Sequence, residues 1–213
     1  MKTAIVIGST GMVGVELIRQ LIENKDYSNV ISLVRRASGV KHSKLSEHIV
    51  DFDKPESWAE FVKGDVLFST MGTTIRNAKT KENQFKVDYT YQYEVAKIAA
   101  ENGVPTYVLV SSIGAKSSSA NFYLKTKGRL EEDVKKLSFR AVIILCPGQL
   151  DGDRQEQRPM EKTALEIMYI VNKIGLFKKY RPILAEEVAK AMINVAGINK
   201  SETYELNNIF NLI

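Results

Sequence analysis

Short apolar runs alternate with amphipathic stretches along most of this chain. The apolar runs have the length and the β-branched content of strands, and the stretches between them repeat apolar residues at helical spacing. The predicted strands are TAIVIG, NVISLVRR, IVDF, DVLFSTMG, TYVLVSS and RAVIILCPG. Continuous apolar strands separated by helices are typical of a parallel sheet that is covered on both faces. We therefore predict an α/β fold with a doubly wound parallel sheet.

The length of the chain and a change in its pattern suggest how it is organised. The chain has 213 residues, a length at which one α/β domain is more common than two. After Gly148 the strand-and-helix alternation gives way to a polar stretch followed by two amphipathic helices. No linker, repeat or low-complexity block separates the parts. We predict a single domain over residues 1–213, in which about 149–213 form a small C-terminal lid over the ligand.

Composition and charge exclude several classes of protein. Apolar residues make up 44% and charged residues 26% of the chain, as in soluble globular proteins. No apolar run reaches the roughly 18 residues of a membrane span, and MKTAIVIGSTG is expected to be a first strand rather than a secretory signal. The net charge of +5 is spread among acidic residues, so we expect neither nucleic acid nor membrane as a partner.

The metal-binding and redox residues are few. The single cysteine, Cys146, lies in the apolar run AVIILCPG and is predicted to be a buried thiol. This usage fits a reducing compartment, and we expect a cytoplasmic protein. His42 and His48 have no cysteine or acidic partners at metal-ligand spacing, so we expect no metal.

A glycine-rich turn joins the first predicted strand to the first helix. In AIVIGSTGMVGVELIRQL, Gly8 permits the tight exit from the strand, Gly11 permits close approach of a pyrophosphate, and Gly14 permits packing of the helix on the sheet. The helix N-terminus then offers N–H groups and its dipole to the anion. A purely structural turn is the alternative. We predict dinucleotide binding in a Rossmann fold, through Gly8, Thr10, Gly11, Met12, Val13 and Gly14.

Two arginines at the end of the second strand indicate which dinucleotide is bound. NVISLVRRAS lacks the acidic residue that commonly binds the adenosine ribose, and Arg35 and Arg36 stand there instead. Guanidinium groups match a 2′-phosphate, whereas a carboxylate would repel it. The alternative is that both arginines are solvated loop charges. We predict NADP(H) as the cofactor.

Further cofactor contacts are expected after the other strands. Asp51 and Phe52, at the end of the third predicted strand, could meet the adenine, although an aspartate that begins a turn would look the same. After the fourth strand, Gly72 allows the backbone to run close to the ribose and the nicotinamide. The predicted contacts in these loops are Asp51, Phe52, Met71, Gly72, Thr73 and Pro147.

A candidate proton-transfer site follows the fifth strand. Ser111 and Ser112 stand at the carboxyl end of TYVLVSS, where ligands bind in doubly wound sheets. Tyr123 and Lys127 follow one helical turn apart in NFYLKTKGRLEE. A lysine ammonium and the positive ring of a bound cofactor would lower the pKa of the phenol, and a serine would polarise a carbonyl. The pair could also be an ordinary helix face. We predict Ser111, Ser112, Tyr123 and Lys127 as catalytic residues, with Lys127 also on the ribose.

The motifs together resemble a known superfamily. GSTGMVG, the VSS strand end and YLKTK resemble short-chain dehydrogenases/reductases, in the atypical NAD(P)-binding branch that includes NmrA-like proteins. NFYLKTKG, PGQLDGDRQEQRPME and YRPILAEEVAKAM are similar to Tat-interacting-protein (CC3)-like oxidoreductases. The resemblance implies NADPH binding by the glycine loop and Arg35, and a Ser/Tyr/Lys triad. An asparagine that many members carry is absent near KVDYTY, where Asp88 is the candidate occupant. Which of Ser111 and Ser112 faces the substrate stays open, because strand neighbours point to opposite faces.

These observations lead to one expected function and two alternatives. We expect an NADP(H)-dependent oxidoreductase that acts on a small carbonyl or alcohol. The alternatives are a catalytically silent, NADPH-sensing regulatory protein and a nucleotide-sugar-type epimerase or isomerase. Besides a small-molecule substrate, a homodimer or a regulatory protein partner is considered. Arg154 and Arg158 could hold an anionic substrate, or could pair with Glu156 and Glu161 and fix the loop.

Overall fold

A parallel sheet forms the centre of the molecule. The computed structural model describes residues 1–151 and 182–213. Its strands are β1 (Lys2–Ile7), β2 (Tyr27–Val34), β3 (Leu45–Ile49), β4 (Val66–Ser69), β5 (Thr106–Val110), β6 (Ala141–Cys146), β7 (Leu150–Asp151), β8 (Ile183–Leu184) and β9 (Glu202–Glu205). Within the described ranges the main sheet has seven strands in the order β3-β2-β1-β4-β5-β6-β9, and β7 pairs with β8 separately. All of these pairings are parallel.

Helices cover both faces of this sheet. They are α1 (Met12–Glu23), α2 (Ile75–Ala78), α3 (Lys81–Phe85), α4 (Tyr91–Glu101), α5 (Phe122–Val134), α6 (Ala185–Val195) and α7 (Asn207–Phe210). A π-helical turn, Lys86–Thr90, joins α3 to α4, and two short 3₁₀ turns follow β3 at Pro55–Ser57 and Ala59–Phe61. Side chains of α1 and α6 share one core with the sheet, and side chains of α4 and α5 share the other. The predicted doubly wound α/β fold is confirmed.

The first strand shows why the sequence folds in this way. Ala4 and Val6 lie in the core on the α1 side, whereas Ile5 and Ile7 lie in the core on the α4 side, and all four are fully buried. Because successive side chains point to opposite faces, a central strand must be apolar at every position when both faces are covered. Each large side chain buried in this way contributes about 1.5–3 kcal/mol.

The order of the strands creates a crevice at one edge of the sheet. β1 pairs with β2 on one side and with β4 on the other, so the chain reverses its direction of winding beside β1. In such sheets, the loops that leave neighbouring strands in opposite directions leave a gap at the carboxyl ends of those strands. Here the loops after β1 and β4 border that gap, which places the glycine turn opposite Met71 and Gly72.

The third strand ends earlier than the sequence predicts. β3 ends at Ile49, so the strand predicted at IVDF is wrong in its position. Asp51 begins a turn instead, in which its carbonyl accepts a hydrogen bond from the Lys54 N–H at 2.9 Å. β3 is an edge strand with partly exposed side chains, so it lacks the continuous apolar run that marks the central strands.

The end of the chain belongs to the core layers rather than to a lid. α6 packs against α1, and β9 adds an edge strand beside β6. The predicted lid over 149–213 is therefore wrong for residues 185–205, whose strand ETYE has too few apolar residues to be recognised in the sequence. Residues 152–181 lie outside the described ranges, and the single-domain assignment stays a prediction.

Candidate functional site

The glycine turn after β1 is shaped by the close approach of backbone to backbone. Gly8 has φ +80°, and a Cβ there would lie 2.4 Å from the Met71 nitrogen. A Cβ on Gly14 would lie 2.1 Å from the Gly8 carbonyl oxygen. A Cβ on Gly11 would meet the same oxygen only at 3.3 Å, which is tight but not prohibitive. Packing within the protein therefore requires glycine at positions 8 and 14. Packing does not require glycine at position 11, so the glycine there is better explained by ligand binding.

The first helix begins at the edge of the cleft. Its N-cap residue is Gly11, which offers no side chain to the first-turn N–H groups, and the first turn contains no acidic residue. Helix N-termini carry a partial positive charge and bind anions. The cradle formed by Gly8, Gly11 and the start of α1 therefore fits a pyrophosphate, and this fit rests on the backbone.

The cleft brings together residues from the loops after β1, β2, β3 and β4, from the π-turn and from α4. Of the predicted cofactor contacts, those that line it are Gly8, Thr10, Gly11, Arg35, Phe52, Met71 and Gly72. Those that do not line it are Met12, Val13, Gly14, Arg36, Asp51, Thr73, Lys127 and Pro147. Val13 and Gly14 are buried in the packing of α1 on the sheet, and Pro147 is buried beyond β6, where its carbonyl accepts from the Ile113 N–H at 3.0 Å. Their role as cofactor contacts stays a prediction.

The sequence analysis missed six of the described residues that line the cleft: Ser9, Leu33, Val34, Thr70, Val87 and Tyr91. Val87 and Tyr91 line the cleft from the π-turn and α4. The Tyr91 ring stacks on Phe52 with centroids 5.4 Å apart, and its hydroxyl donates to Asp53 at 3.0 Å. Val87 and Tyr91 stand four apart and so share a helix face. The sequence contains that spacing, but it does not show that this face borders the cleft.

Arg35 and Asp51 have different surroundings. Arg35 follows β2 directly and is exposed, and no ion pair involves either Arg35 or Arg36 in the part of the chain that the structure describes. Burial and then Asp53 raise the pKa of Tyr91, and Arg35 partly opposes them. The Asp51 carboxylate accepts from the Asp53 N–H at 3.1 Å and lies 3.8 Å from the Lys54 ammonium. These bonds match the alternative in which Asp51 begins a turn.

Tyr123 and Lys127 lie one turn apart on one face of α5, and Lys127 reaches the loop after β4 that lines the cleft. The helix begins at Phe122, after Asn121, whose side-chain oxygen accepts from the Leu124 N–H at 3.1 Å. The Lys127 side chain is only 3% exposed, and its Nζ donates to the carbonyls of Met71 and Val110, both at 3.4 Å. Lys127 therefore connects the loop after β4 to the end of β5.

The two serines face different ways. The Ser111 hydroxyl donates to the Glu131 carboxylate on α5, behind the cleft. The Ser112 hydroxyl donates to the Ile113 carbonyl at 3.4 Å, and hydrogen bonding with Ser112 works to lower the pKa of Tyr123. Ser112, rather than Ser111, therefore lies within reach of the tyrosine. The opposite orientation of strand neighbours explains the separation.

The electrostatics of Tyr123 differ from the expectation. Burial, and after it the Asp88 carboxylate, raise the pKa of Tyr123. Burial lowers the pKa of Lys127, while Asp88 and Glu131 oppose that change. The protein's own groups therefore favour a protonated phenol, and the predicted lowering depends on the positive ring of a bound cofactor.

Asp88 lies beside this pair. It is fully buried on the π-turn, and one of its carboxylate oxygens, Oδ1, accepts from the Thr73 N–H at 2.8 Å. Its other oxygen, Oδ2, has no hydrogen-bond partner among the described residues. Burial raises the pKa of Asp88, and Lys127, the Thr73 N–H and the Gln84 side chain oppose that shift. An acceptor buried this completely needs compensation from the protein's own groups.

Other predictions can be placed briefly. Cys146 is free and buried, and burial raises its pKa to about 12. Arg154, Glu156, Arg158 and Glu161 lie outside the described residues. In the described ranges, no helix is long and apolar enough to cross a membrane, and no group of His, Cys, Asp or Glu side chains could hold a metal ion.

The chain is similar to curated fungal proteins over most of its length. Protein FMP52, mitochondrial, of Meyerozyma guilliermondii is 40% identical over 199 residues, which cover 91% of this chain and 84% of that protein. Protein fmp52, mitochondrial, of Aspergillus fumigatus is 35% identical over 209 residues, which cover 93% and 88%. The expected cytoplasmic location is contradicted by these mitochondrial relatives. A lone buried thiol does not distinguish the two compartments.

Solved structures show the same fold at low identity. The Helicobacter pylori ADP-L-glycero-D-manno-heptose-6-epimerase matches with a TM-score of 0.73 at 18% identity, covering 96% of this chain and 76% of that one. The Thermus thermophilus UDP-glucose 4-epimerase in complex with NAD matches with a TM-score of 0.71 at 15% identity, covering 96% and 77%. These matches confirm the Rossmann fold.

A family model described as NAD(P)H-binding matches residues 8–196, from the first glycine of the turn to the end of α6. The match thus includes the glycine turn as well as Tyr123 and Lys127. With the turn, the fold and the fungal relatives, it shows that the chain belongs to the NAD(P)H-binding family and, within it, to the group of proteins that carry the name FMP52.

Proposed function

We propose that this protein is an NADP(H)-dependent oxidoreductase that acts on a small carbonyl or alcohol. The observation that carries the proposal is that Lys127, one helical turn from Tyr123, reaches the loop after β4. Its ammonium donates to the Met71 carbonyl at 3.4 Å, and Met71 and Gly72 line the cleft that begins at the glycine turn.

The binding part of the proposal assigns a role to each cleft residue. The pyrophosphate would lie on the turn at Gly11 and the N-terminus of α1. The adenine would lie near Phe52 and Tyr91, whose stacked rings form one wall. Arg35 would fork onto a 2′-phosphate, which is supported by its exposed position and by its lack of an ion pair in the described part of the chain.

The chemical part of the proposal concerns proton transfer. The bound cofactor supplies hydride chemistry at a carbonyl carbon. The Tyr123 hydroxyl would give its proton to the carbonyl oxygen, and Ser112 would donate a hydrogen bond to the same oxygen. The raised pKa of Tyr123 keeps the proton on the phenol at neutral pH, and its transfer would need the Lys127 charge and a bound cofactor to lower that pKa.

The test pairs binding with turnover in Tyr123→Phe. This change removes only the hydroxyl, so NADPH affinity, measured by calorimetry, should stay within about a factor of two, as for other neutral surface changes. Reduction of any carbonyl that the wild type accepts should slow by about 100-fold or more, the usual scale of general acid–base catalysis. The control is Phe122→Leu, a neighbour on the same helix, which should change neither the NADPH affinity nor the rate of reduction.

Three outcomes separate the candidate functions. If Tyr123→Phe reduces the carbonyl as fast as the wild type, the proton-donor assignment is wrong. If the wild type binds NADPH but reduces nothing in a broad carbonyl panel, the NADPH-sensing regulator becomes the better assignment. Some solved structures of the same fold are epimerases, so recovery of an isomerised nucleotide sugar without net cofactor oxidation would favour that alternative.

A further inference from the structure

Asp88 is held in place by an unusual piece of backbone. The π-turn Lys86–Thr90 interrupts the run from α3 to α4. The Gln92 side-chain amide donates to the carbonyls of Val87 at 3.2 Å and of Asp88 at 3.0 Å. Its oxygen accepts from the Ser69 hydroxyl at 2.8 Å, at the end of β4. The turn is therefore fixed by buried hydrogen bonds, and π-turns inside helices are frequent at functional sites.

The Asp88 carboxylate is only half satisfied by the protein. Oδ1 accepts from the Thr73 N–H at 2.8 Å and would lie 3.5 Å from a Cβ on Gly72. Oδ2 is buried without a hydrogen-bond partner among the described residues. A buried carboxylate without compensation is strongly unfavourable, so a nearby positive charge is needed.

The nearby positive charge is Lys127, which needs compensation as well. Its ammonium is buried, and it donates to two carbonyls, each at 3.4 Å, which is long for this kind of bond. Three titratable groups act on it electrostatically: Asp88 from the π-turn, Glu131 from α5 and Cys146 from β6. Within the described ranges, no carboxylate forms a direct ion pair with it.

Of the two carboxylates, Asp88 is the better counter-ion. Glu131 already accepts from the Ser111 hydroxyl and from the Cys146 thiol at 3.6 Å, and it is less buried. Asp88 is completely buried and has an unused oxygen. Electrostatic attraction is stronger where water is excluded, so the more deeply buried carboxylate has the greater effect on Lys127.

We propose that Asp88 is a positioning residue of this site, whose carboxylate is the counter-ion that keeps Lys127 charged and holds the loop after β4 beside it. The inference deepens the proposed function and rests on it for its consequence in catalysis, since Lys127 is the residue next to Tyr123. The electrostatic interaction between Asp88 and Lys127 requires neither cofactor nor turnover. The pKa values agree in direction: burial lowers that of Lys127 and raises that of Asp88, and each group opposes the shift of the other.

The first test is a double-mutant cycle on the protein without ligands. The free energy of unfolding is measured in urea for the wild type, Asp88→Asn, Lys127→Met and the variant with both changes. Each single change leaves one buried charge unpaired, so the double variant should lose less stability than the sum of the two single losses. The control is Asp133→Asn, on the same helix as Lys127 but bonded to Tyr89 and Lys136, and its loss should add to that of Lys127→Met.

The second test follows the protonation of Lys127 by nuclear magnetic resonance of the lysine side chains, assigned with Lys127→Met. The wild type should carry an ammonium at neutral pH. Asp88→Asn should lose this proton at a lower pH than the wild type, whereas Asp133→Asn should titrate as the wild type does. An amide in place of the carboxylate keeps the shape of Asp88 and its acceptor for Thr73, so a merely structural role would not move this titration.

The outcomes separate this inference from the proposed function. The counter-ion role of Asp88 is wrong if the losses of stability in the cycle are additive. It is also wrong if Lys127 titrates in Asp88→Asn as it does in the wild type. If Asp88→Asn alone does not fold, the variant with both changes should still fold, and its failure to do so would also contradict the inference. If the protein shows the coupling but reduces no carbonyl, the counter-ion role of Asp88 stands and the proposed oxidoreductase function is wrong.

Discussion

The two ends of the candidate site are built in opposite ways. At the glycine turn the surface of the cleft is made of backbone, and what matters is the absence of side chains at Gly8, Gly11 and Gly14. At the other end, behind the loop after β4, two side chains that are expensive to bury, Lys127 and Asp88, bond to that loop from inside the protein. One end depends on shape, and the other depends on charge.

This difference teaches where each kind of substitution should act. Backbone geometry is shared by folding and binding, so changes at the glycine turn should alter stability or nucleotide affinity through steric contact. Buried ionisable groups are mutually dependent, so changes at the other end should alter protonation and turnover. The following predictions test that division, beginning with the largest expected effect.

Gly11→Val should remove nucleotide binding while the protein still folds. A Cβ at position 11 would meet the Gly8 carbonyl oxygen at 3.3 Å, which the loop can relieve, but it would stand where the pyrophosphate is expected. Calorimetry with NADPH and a circular dichroism melt check both parts. Val15→Ala, on the exposed side of α1, is the control and should bind normally. Normal NADPH titration by Gly11→Val would show that the turn is only structural.

Arg35→Ala should reduce the preference for NADPH over NADH by about 1.5–3 kcal/mol, the range for hydrogen bonds to charged groups. The reason is that Arg35 lines the cleft directly after β2. Arg36 does not line it, so Arg36→Ala should change the preference less. Calorimetric affinities for both cofactors on each variant decide the matter. A variant of Arg35 that keeps the full preference would contradict the NADP(H) assignment.

Gly14→Ala should destabilise the fold by about 1–3 kcal/mol or more, because a Cβ there would lie 2.1 Å from the Gly8 carbonyl oxygen. Urea unfolding measures the loss. Gly197→Ala, where a Cβ would meet nothing within 4 Å, is the matched control and should change stability by no more than about 0.5 kcal/mol. Equal stability of the two variants would mean that α1 does not need the close approach seen here.

Asn121→Ala should have the smallest effect and should act at the other end. Its side-chain oxygen caps α5 by accepting from the Leu124 N–H at 3.1 Å, and loss of such a cap costs about 1 kcal/mol. Urea unfolding should show this loss, with Ser118→Ala as the control. NADPH affinity should be unchanged, since the cap touches α5 and not the glycine turn. A loss of affinity equal to that of Gly11→Val would remove the division between the two ends.

Much of the fold could be predicted because central strands of a covered sheet are apolar at every position. Strands β1, β4, β5 and β6 were predicted for that reason, and nearly all of their residues are buried in the structure. The edge strands β3 and β9 were misplaced or missed, because their partly exposed side chains follow no such pattern. An edge strand is specified by its backbone pairing with a neighbour, which leaves little trace in its own residues.

The site divides in the same manner. The sequence by itself determined the glycine turn, the Tyr123–Lys127 spacing and the buried Cys146, because each depends on residues that are near one another along the chain or on local apolarity. Only the tertiary structure decided that Ser111 turns to Glu131, that Tyr91 joins the cleft wall, and that Asp88 approaches Lys127. Those contacts join residues far apart in sequence, and their strength depends on how completely the surrounding helices and strands exclude water.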